Sequence, residues 1–82
     1  MQTIYLDADS YKTPGDLHAS LKMMLHLPAH YGMNADALND CLSERTEPVH
    51  LWIASRGEGD VARAVDTICR VVGDNGGSVK EL

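Results

Sequence analysis

Asp36 and Asp40 are the two residues whose type and spacing most plainly suggest chemistry with another molecule. At 100° per residue a helix through them puts Asp36, Asp40, Ser43 and Glu44 on one side, with Asn39 at the margin. Leu38, Cys41 and Leu42 fall opposite, with Ala35 beside them. In a closed pocket, paired carboxylates can divide the roles of general acid and base. On a convex helix face they lack the concavity that excludes water and separates pKa values, so their chemistry is attraction of cations. Asp36 lies in the first turn, where the helix dipole favours a negative charge. Asp40 lies mid-helix, one turn from a like charge, and has no such local reason to be there. The plain reading is a solvated face; the sharper one is a recognition face for something cationic.

Other reactive residue types are present without the arrangements that chemistry needs. Cys41 and Cys69 each occupy an apolar helix position and neither sits in a motif with a histidine, so they read as reduced, buried, small hydrophobic residues. His26 and His30 are four apart, but Pro28 between them disrupts the helix that would align them, and no CxxC or HExxH occurs. No metal and no cofactor is expected. His18, Lys22 and His26 form a row at i, i+4 and i+8 that reads as a solvated face. Gly57-Glu58-Gly59-Asp60-Val61-Ala62 formally matches GxGxxA, but Glu58 and Asp60 would repel a pyrophosphate and the chain is too short for a two-half nucleotide fold. No catalytic residue is assigned, and the protein is not expected to be an enzyme.

The elements that position these residues can be read from period and punctuation. Thr3–Leu6 reads as an opening strand. Thr13-Pro14-Gly15-Asp16 is a helix start, Leu17, Leu21, Met24 and Leu25 supply an apolar stripe, and Pro28 ends the helix at or just before Leu27. Gly32 supplies backbone freedom before the next helix, and Asn34 can cap it. Val49–Ala54 is the strongest strand; its near-continuous apolar character predicts a strand covered on both faces, with Trp52 in the core. Asp60 is expected to cap a helix whose Val61, Val65, Ile68 and Val72 recur at helical spacing. Gly73-Asp74-Asn75-Gly76-Gly77 stops it, and Ser78–Leu82 suits a short edge strand carrying Lys80 and Glu81. The order β-α-α-β-α-β predicts an α/β domain over residues 1–82, a small three-stranded parallel sheet with helices packed against it and right-handed crossovers.

With 82 residues there is room for one modest core. A net charge of −5, from seven basic and twelve acidic residues, disfavours direct nucleic-acid binding and favours a basic protein partner. The start of the chain lacks a basic region followed by a long apolar run, and no apolar run is long enough to span a bilayer, so a cytoplasmic location and no membrane contact are expected.

Leu17-His18, Leu21-Lys22, Leu27-Pro28, Tyr31-Gly32, Asn34, Asp36-Ala37-Leu38 and Asp40-Cys41-Leu42 together resemble the barstar family, intracellular inhibitors of barnase-type ribonucleases. The matching run covers roughly a third of the chain without a gap and mixes apolar, glycine, amide and acidic positions. The resemblance implies that the Asn34–Leu42 helix plugs a nuclease active site, with Asp36 and Asp40 meeting the basic residues that bind substrate phosphate. Asn34, Gly32 and Tyr31 match positions that shape or flank the binding loop, and His30 stands where the family has an aromatic contact. Asn39 replaces an aromatic residue, Met33 replaces an acid, and Val71 lies close to where the family carries a further contact acid. These departures imply weaker inhibition of barnase-type enzymes or a different cognate partner. The expected contacts are therefore Asp36, Asp40, His30, Tyr31, Gly32, Asn34, Asn39 and Glu44. The expected partner is a small basic ribonuclease or related toxin, met by a protein that is monomeric when free. A barstar-fold interaction module or immunity protein for a non-ribonuclease partner is the alternative.

Overall fold

The β-branched and aromatic residues at the start of the chain form a strand, and the computed structural model, which describes residues 2–82, extends it over Gln2–Asp7 as β1. A 3₁₀ turn at Ala8–Ser10 leads to α1 (Pro14–Met24), then α2 (Ala35–Ser43), β2 (Val49–Ser55), α3 (Gly59–Asp74) and β3 (Ser78–Glu81). The three strands are parallel in the order β1-β2-β3, so the most apolar strand is central. The α/β class and the β-α-α-β-α-β order are those read from the sequence.

Local chemistry sets the helix ends. Thr13 caps α1 through its hydroxyl, which accepts from the Asp16 N–H at 3.2 Å, and Pro14 occupies the first turn. The far end of α1 closes as a Schellman motif, with the Leu27 N–H donating to the Lys22 carbonyl at 2.9 Å. His26 takes the left-handed position that glycine usually fills there, at φ 53°. The end of α3 closes in the same way, with Gly76 at φ 82° and the Gly77 N–H reaching the Val72 carbonyl at 2.9 Å. Gly77 admits no side chain, because a Cβ there would stand 2.1 Å from the Val49 carbonyl oxygen. The start of α3 differs from expectation. Glu58 occupies the cap without a side-chain hydrogen bond, and Asp60 lies inside the first turn, paired with Arg63. Gly59, at φ 59°, stands at the first position of the helix, ahead of Asp60.

The helices bury one face of the sheet and leave the other open. Ile4 and Leu6 on β1 and Val49, Leu51 and Ile53 on β2 are buried, while the alternate residues Thr3, Tyr5, Trp52 and Ala54 are exposed. The two-sided covering expected for β2 is therefore wrong. Only one helix lies between β2 and β3, so no element is left for the second face. Trp52 is corrected with it: the side chain is 42% exposed, in register between Tyr5 and Lys80, and the Lys80 ammonium lies 5.3 Å from its ring centroid. The core proper joins β1 and β2 to Leu17, Leu21 and Leu25 of the α1 region, Leu38 and Leu42 of α2, and the valine–isoleucine face of α3. Full burial of side chains such as Val65 and Ile68 contributes about 1.5–3 kcal/mol each.

Two further expectations need revision. Cys41 and Cys69 are free thiols but half-buried rather than core residues. His18, expected on a solvated row with Lys22 and His26, is 6% exposed and is the one buried polar side chain among the described residues.

Candidate functional site

The segment before α2 is held at both of its ends. Asn34 leaves the loop in extended geometry and caps the helix, its Oδ1 accepting from the Ala37 N–H at 2.8 Å. Its Nδ2 turns back to the Gly32 carbonyl at 3.2 Å, which fixes the amide in the capping rotamer. Gly32 packs closely here: a Cβ would approach Ala37 Cβ to 3.2 Å. At the other end, Tyr31 is buried, its N–H donates to the Pro28 carbonyl at 2.9 Å, and its hydroxyl lies 2.7 Å from His18 Nδ1. Between these two anchors Met33 takes φ 59°, a left-handed conformation that costs an unbranched side chain about 1 kcal/mol or more. Such a conformation persists where its neighbours are over-determined.

The loop so fixed feeds an acidic helix. Asp36, Asp40 and Glu44 recur at i, i+4 and i+8, all three are exposed, and none forms an ion pair among the described residues. Arg45, next in sequence to Glu44, is engaged elsewhere. Arg45 donates to the Leu25 carbonyl at 3.2 Å and to Gln2 Oε1, so its guanidinium ties the end of α2 to α1 and β1. Among the described residues the acidic stripe has no ion-pair partner. Asn39, between the two aspartates, is exposed, and its Oδ1 accepts from Asn75 Nδ2 at 2.8 Å. Asn75 is a member of this region that sequence reasoning missed. It lies in the glycine-rich stop after α3, and nothing in its local pattern points toward α2.

An open cleft of about 700 Å³ runs beside the stripe, between the loop from His26 to Gly32 and the α2 residues Ala37, Asp40, Cys41 and Glu44. Asp40 and Glu44 therefore serve two surfaces, the outer face of the helix and the cleft wall, and His30 faces them from the loop. The Cys41 thiol in the same wall is no ready nucleophile. Burial pushes its pKa up, and the Glu44 and Asp40 carboxylates push it further in that direction. Burial likewise pushes the Tyr31 phenol up to about 12, so it remains a neutral hydrogen-bond donor.

Of the eight expected contact residues, seven are exposed and lie on the loop or on α2 and its cap: His30, Gly32, Asn34, Asp36, Asn39, Asp40 and Glu44. Tyr31 is the exception. Its side chain is 6% exposed and lies in the wall of the cleft, with its hydroxyl on His18. Val71, close to the position of a further acid, is buried against the core at 9% exposure. Among the described residues, no group of three or more histidine, cysteine or carboxylate side chains is placed to hold a metal ion. What the arrangement offers is a capped row of carboxylates, without an ion-pair partner among the described residues, beside a cleft that Arg45 also lines. The family model described as Barstar (barnase inhibitor) matches residues 1–75.

Proposed function

The chain belongs to the barstar family, a family of barnase inhibitors, and on that premise we propose that it inhibits a small basic ribonuclease by seating α2 against the nuclease's cationic active site. The observation that carries this reading is the row Asp36, Asp40 and Glu44, exposed and without an ion-pair partner among the described residues. A ribonuclease must hold RNA phosphates with arginine and lysine. A row of carboxylates at helical spacing offers those same groups an alternative set of anions. The net charge of −5 acts at longer range, speeding encounter with a basic partner and making association sensitive to salt.

The protein acts by occupying a surface and carries out no reaction of its own, as a monomer in the cytoplasm, without metal, cofactor, nucleic acid or membrane contact. No helix among the described residues is long and apolar enough to cross a membrane. The test is RNA cleavage by a barnase-type ribonuclease with increasing amounts of the chain. Stoichiometric inhibition that is lost in the Asp36→Ala/Asp40→Ala double variant supports the reading, and undiminished cleavage at equimolar inhibitor contradicts it.

A second reading keeps the site and changes the partner. Asn39 carries no aromatic ring and is bonded to Asn75, while Val71 is buried, so two places where the family contacts its nuclease offer different chemistry here. This favours an immunity protein or interaction module that meets another basic toxin with the same acidic row. Capture of a basic protein without nuclease activity, dependent on Asp36 and Asp40, would select it.

A further inference from the structure

We infer that His18 is a positioning residue for the binding site: through Tyr31 it holds the Gly32–Asn34 segment in the pose from which α2 presents Asp36 and Asp40, so that loop geometry and partner binding respond to pH. The inference rests on the proposed function for its binding consequence, and on the geometry alone for the loop.

His18 lies on α1, thirteen residues before Tyr31, and is buried beneath the loop with its Nδ1 2.7 Å from the phenolic oxygen. The two rings are tilted, with centroids 6.0 Å apart, so the hydroxyl rather than ring stacking makes the link. With a neutral imidazole protonated at Nε2, the Tyr31 O–H donates to Nδ1. A protonated ring has no acceptor at Nδ1. Its N–H would then donate to the phenolic oxygen, and the phenol proton would have to turn to the Asn34 carbonyl, 3.4 Å away. That carbonyl already accepts the Leu38 N–H of the first turn of α2 at 3.0 Å. Protonation of His18 therefore rearranges hydrogen bonding at both ends of the strained Met33 peptide and at the helix start.

The surroundings give an imidazolium no compensation. The loop contributes the Tyr31 phenol and, outside, the exposed His26 and His30. On α2 the group behind Tyr31 is the Cys41 thiol, which burial and two carboxylates keep protonated. The buried residues of α3 are all apolar, and Lys22, one turn along α1, reaches the Ala29 carbonyl at 3.4 Å. Among the described residues no carboxylate pairs with the ring, and burial lowers the His18 pKa from its ordinary value. A basic partner seated over the loop would add positive charge and lower it further. By linkage, affinity is full at high pH and is lost as pH falls through the His18 titration.

Two measurements on the full chain separate the parts. The first is NMR titration from pH 8 to 5 in a His26→Asn/His30→Gln background, which removes both imidazoles of the loop. The His18 ring and the Gly32, Met33, Asn34 and Ala37 amides should share one midpoint, and Tyr31→Phe should abolish the amide response. Loop amides that ignore the His18 midpoint would overturn the inference, whether or not the chain binds a nuclease. The second is affinity for a barnase-type ribonuclease at pH 7.5 and 5.5. His18→Asn retains a polar atom near the place of Nδ1 and cannot titrate in this range. The same nuclease should lose more affinity for the parent chain than for this variant, by up to about fivefold for one pKa unit between free and bound states when the free pKa lies below 6.5. Equal pH profiles for parent and His18→Asn would contradict the coupling. Absence of binding by the parent at pH 7.5 would count against the inhibitor reading, and the NMR titration would still decide the positioning role.

Discussion

Asn75 and Asn39 are joined side chain to side chain across α3 and α2. Asn75 Nδ2 donates to Asn39 Oδ1 and also to the Val71 carbonyl, each at 2.8 Å. One amide thus adds a second hydrogen bond to the Val71 carbonyl, which also accepts the Asn75 backbone N–H at 3.2 Å, and ties the end of α3 to the middle of the acidic helix between its two aspartates. The register of Asp36 and Asp40 is set against the rest of the domain by a residue thirty-six positions from Asn39. Replacing Asn75 with alanine should cost about 1 kcal/mol, the usual net worth of such hydrogen bonding. Urea unfolding of Asn75→Ala measures it.

The cap of α2 offers a sharper test of the loop. Asn34→Ala removes the acceptor for the Ala37 N–H and the donor to the Gly32 carbonyl together. Stability should fall by about 0.5–2 kcal/mol. Hydrogen exchange should quicken most at the amides of the first turn of α2, Asp36 and Ala37 above all.

Two glycines in one stretch should behave in opposite ways. A Cβ at Gly77 would meet the Val49 carbonyl oxygen at 2.1 Å and Val72 Cγ1 at 2.7 Å, so either β2 or the end of α3 must move. Gly77→Ala should cost about 2–3 kcal/mol or more. Gly73 lies within α3 with nothing within 4 Å of its missing Cβ. Gly73→Ala should stabilise by about 0.5–1 kcal/mol, because alanine loses less backbone freedom in a helix. Thermal melts of the two variants, run side by side, check both signs.

Stability should also depend on pH through His18. Its folded pKa lies below the ordinary 6.5, so the unfolded chain binds more protons between those two values. This contribution is complete above the unfolded pKa. It is lost as pH falls from about 6.5 through the lower folded value. Urea midpoints at pH 7.5, 6.5 and 5.5 should decline for the parent chain, and His18→Asn should remove that part of the decline.

The legible and illegible parts of this molecule divide by how far the deciding contact lies along the chain. The cap at Asn34, the apolar side of α2 and the acidic side carrying Asp36 and Asp40 lie within one turn or two of each other, so period and capping chemistry settled them. The parallel sheet and the element order followed from the alternation of elements. Trp52 was misplaced because its exposure depends on whether another element covers the second sheet face, which no local pattern records. His18 was misplaced because its polar row looks solvated until the loop brings Tyr31 over it. Asp60 is not the cap: it lies inside the first turn, where its carboxylate pairs with Arg63.

The claim that most needs testing is that the Asp36–Asp40 face binds a basic nuclease. The direct measurement is calorimetric titration with a barnase-type ribonuclease at low and moderate salt, run beside Asp40→Ala. One-to-one binding is predicted, weaker at the higher salt. Asp40→Ala should lower the affinity by about 2 kcal/mol or more, the scale for truncating a desolvated interface charge that the barnase–barstar pair itself helped to define. Binding by the parent that Asp40→Ala leaves unchanged, or no heat from the folded parent chain, would contradict the account.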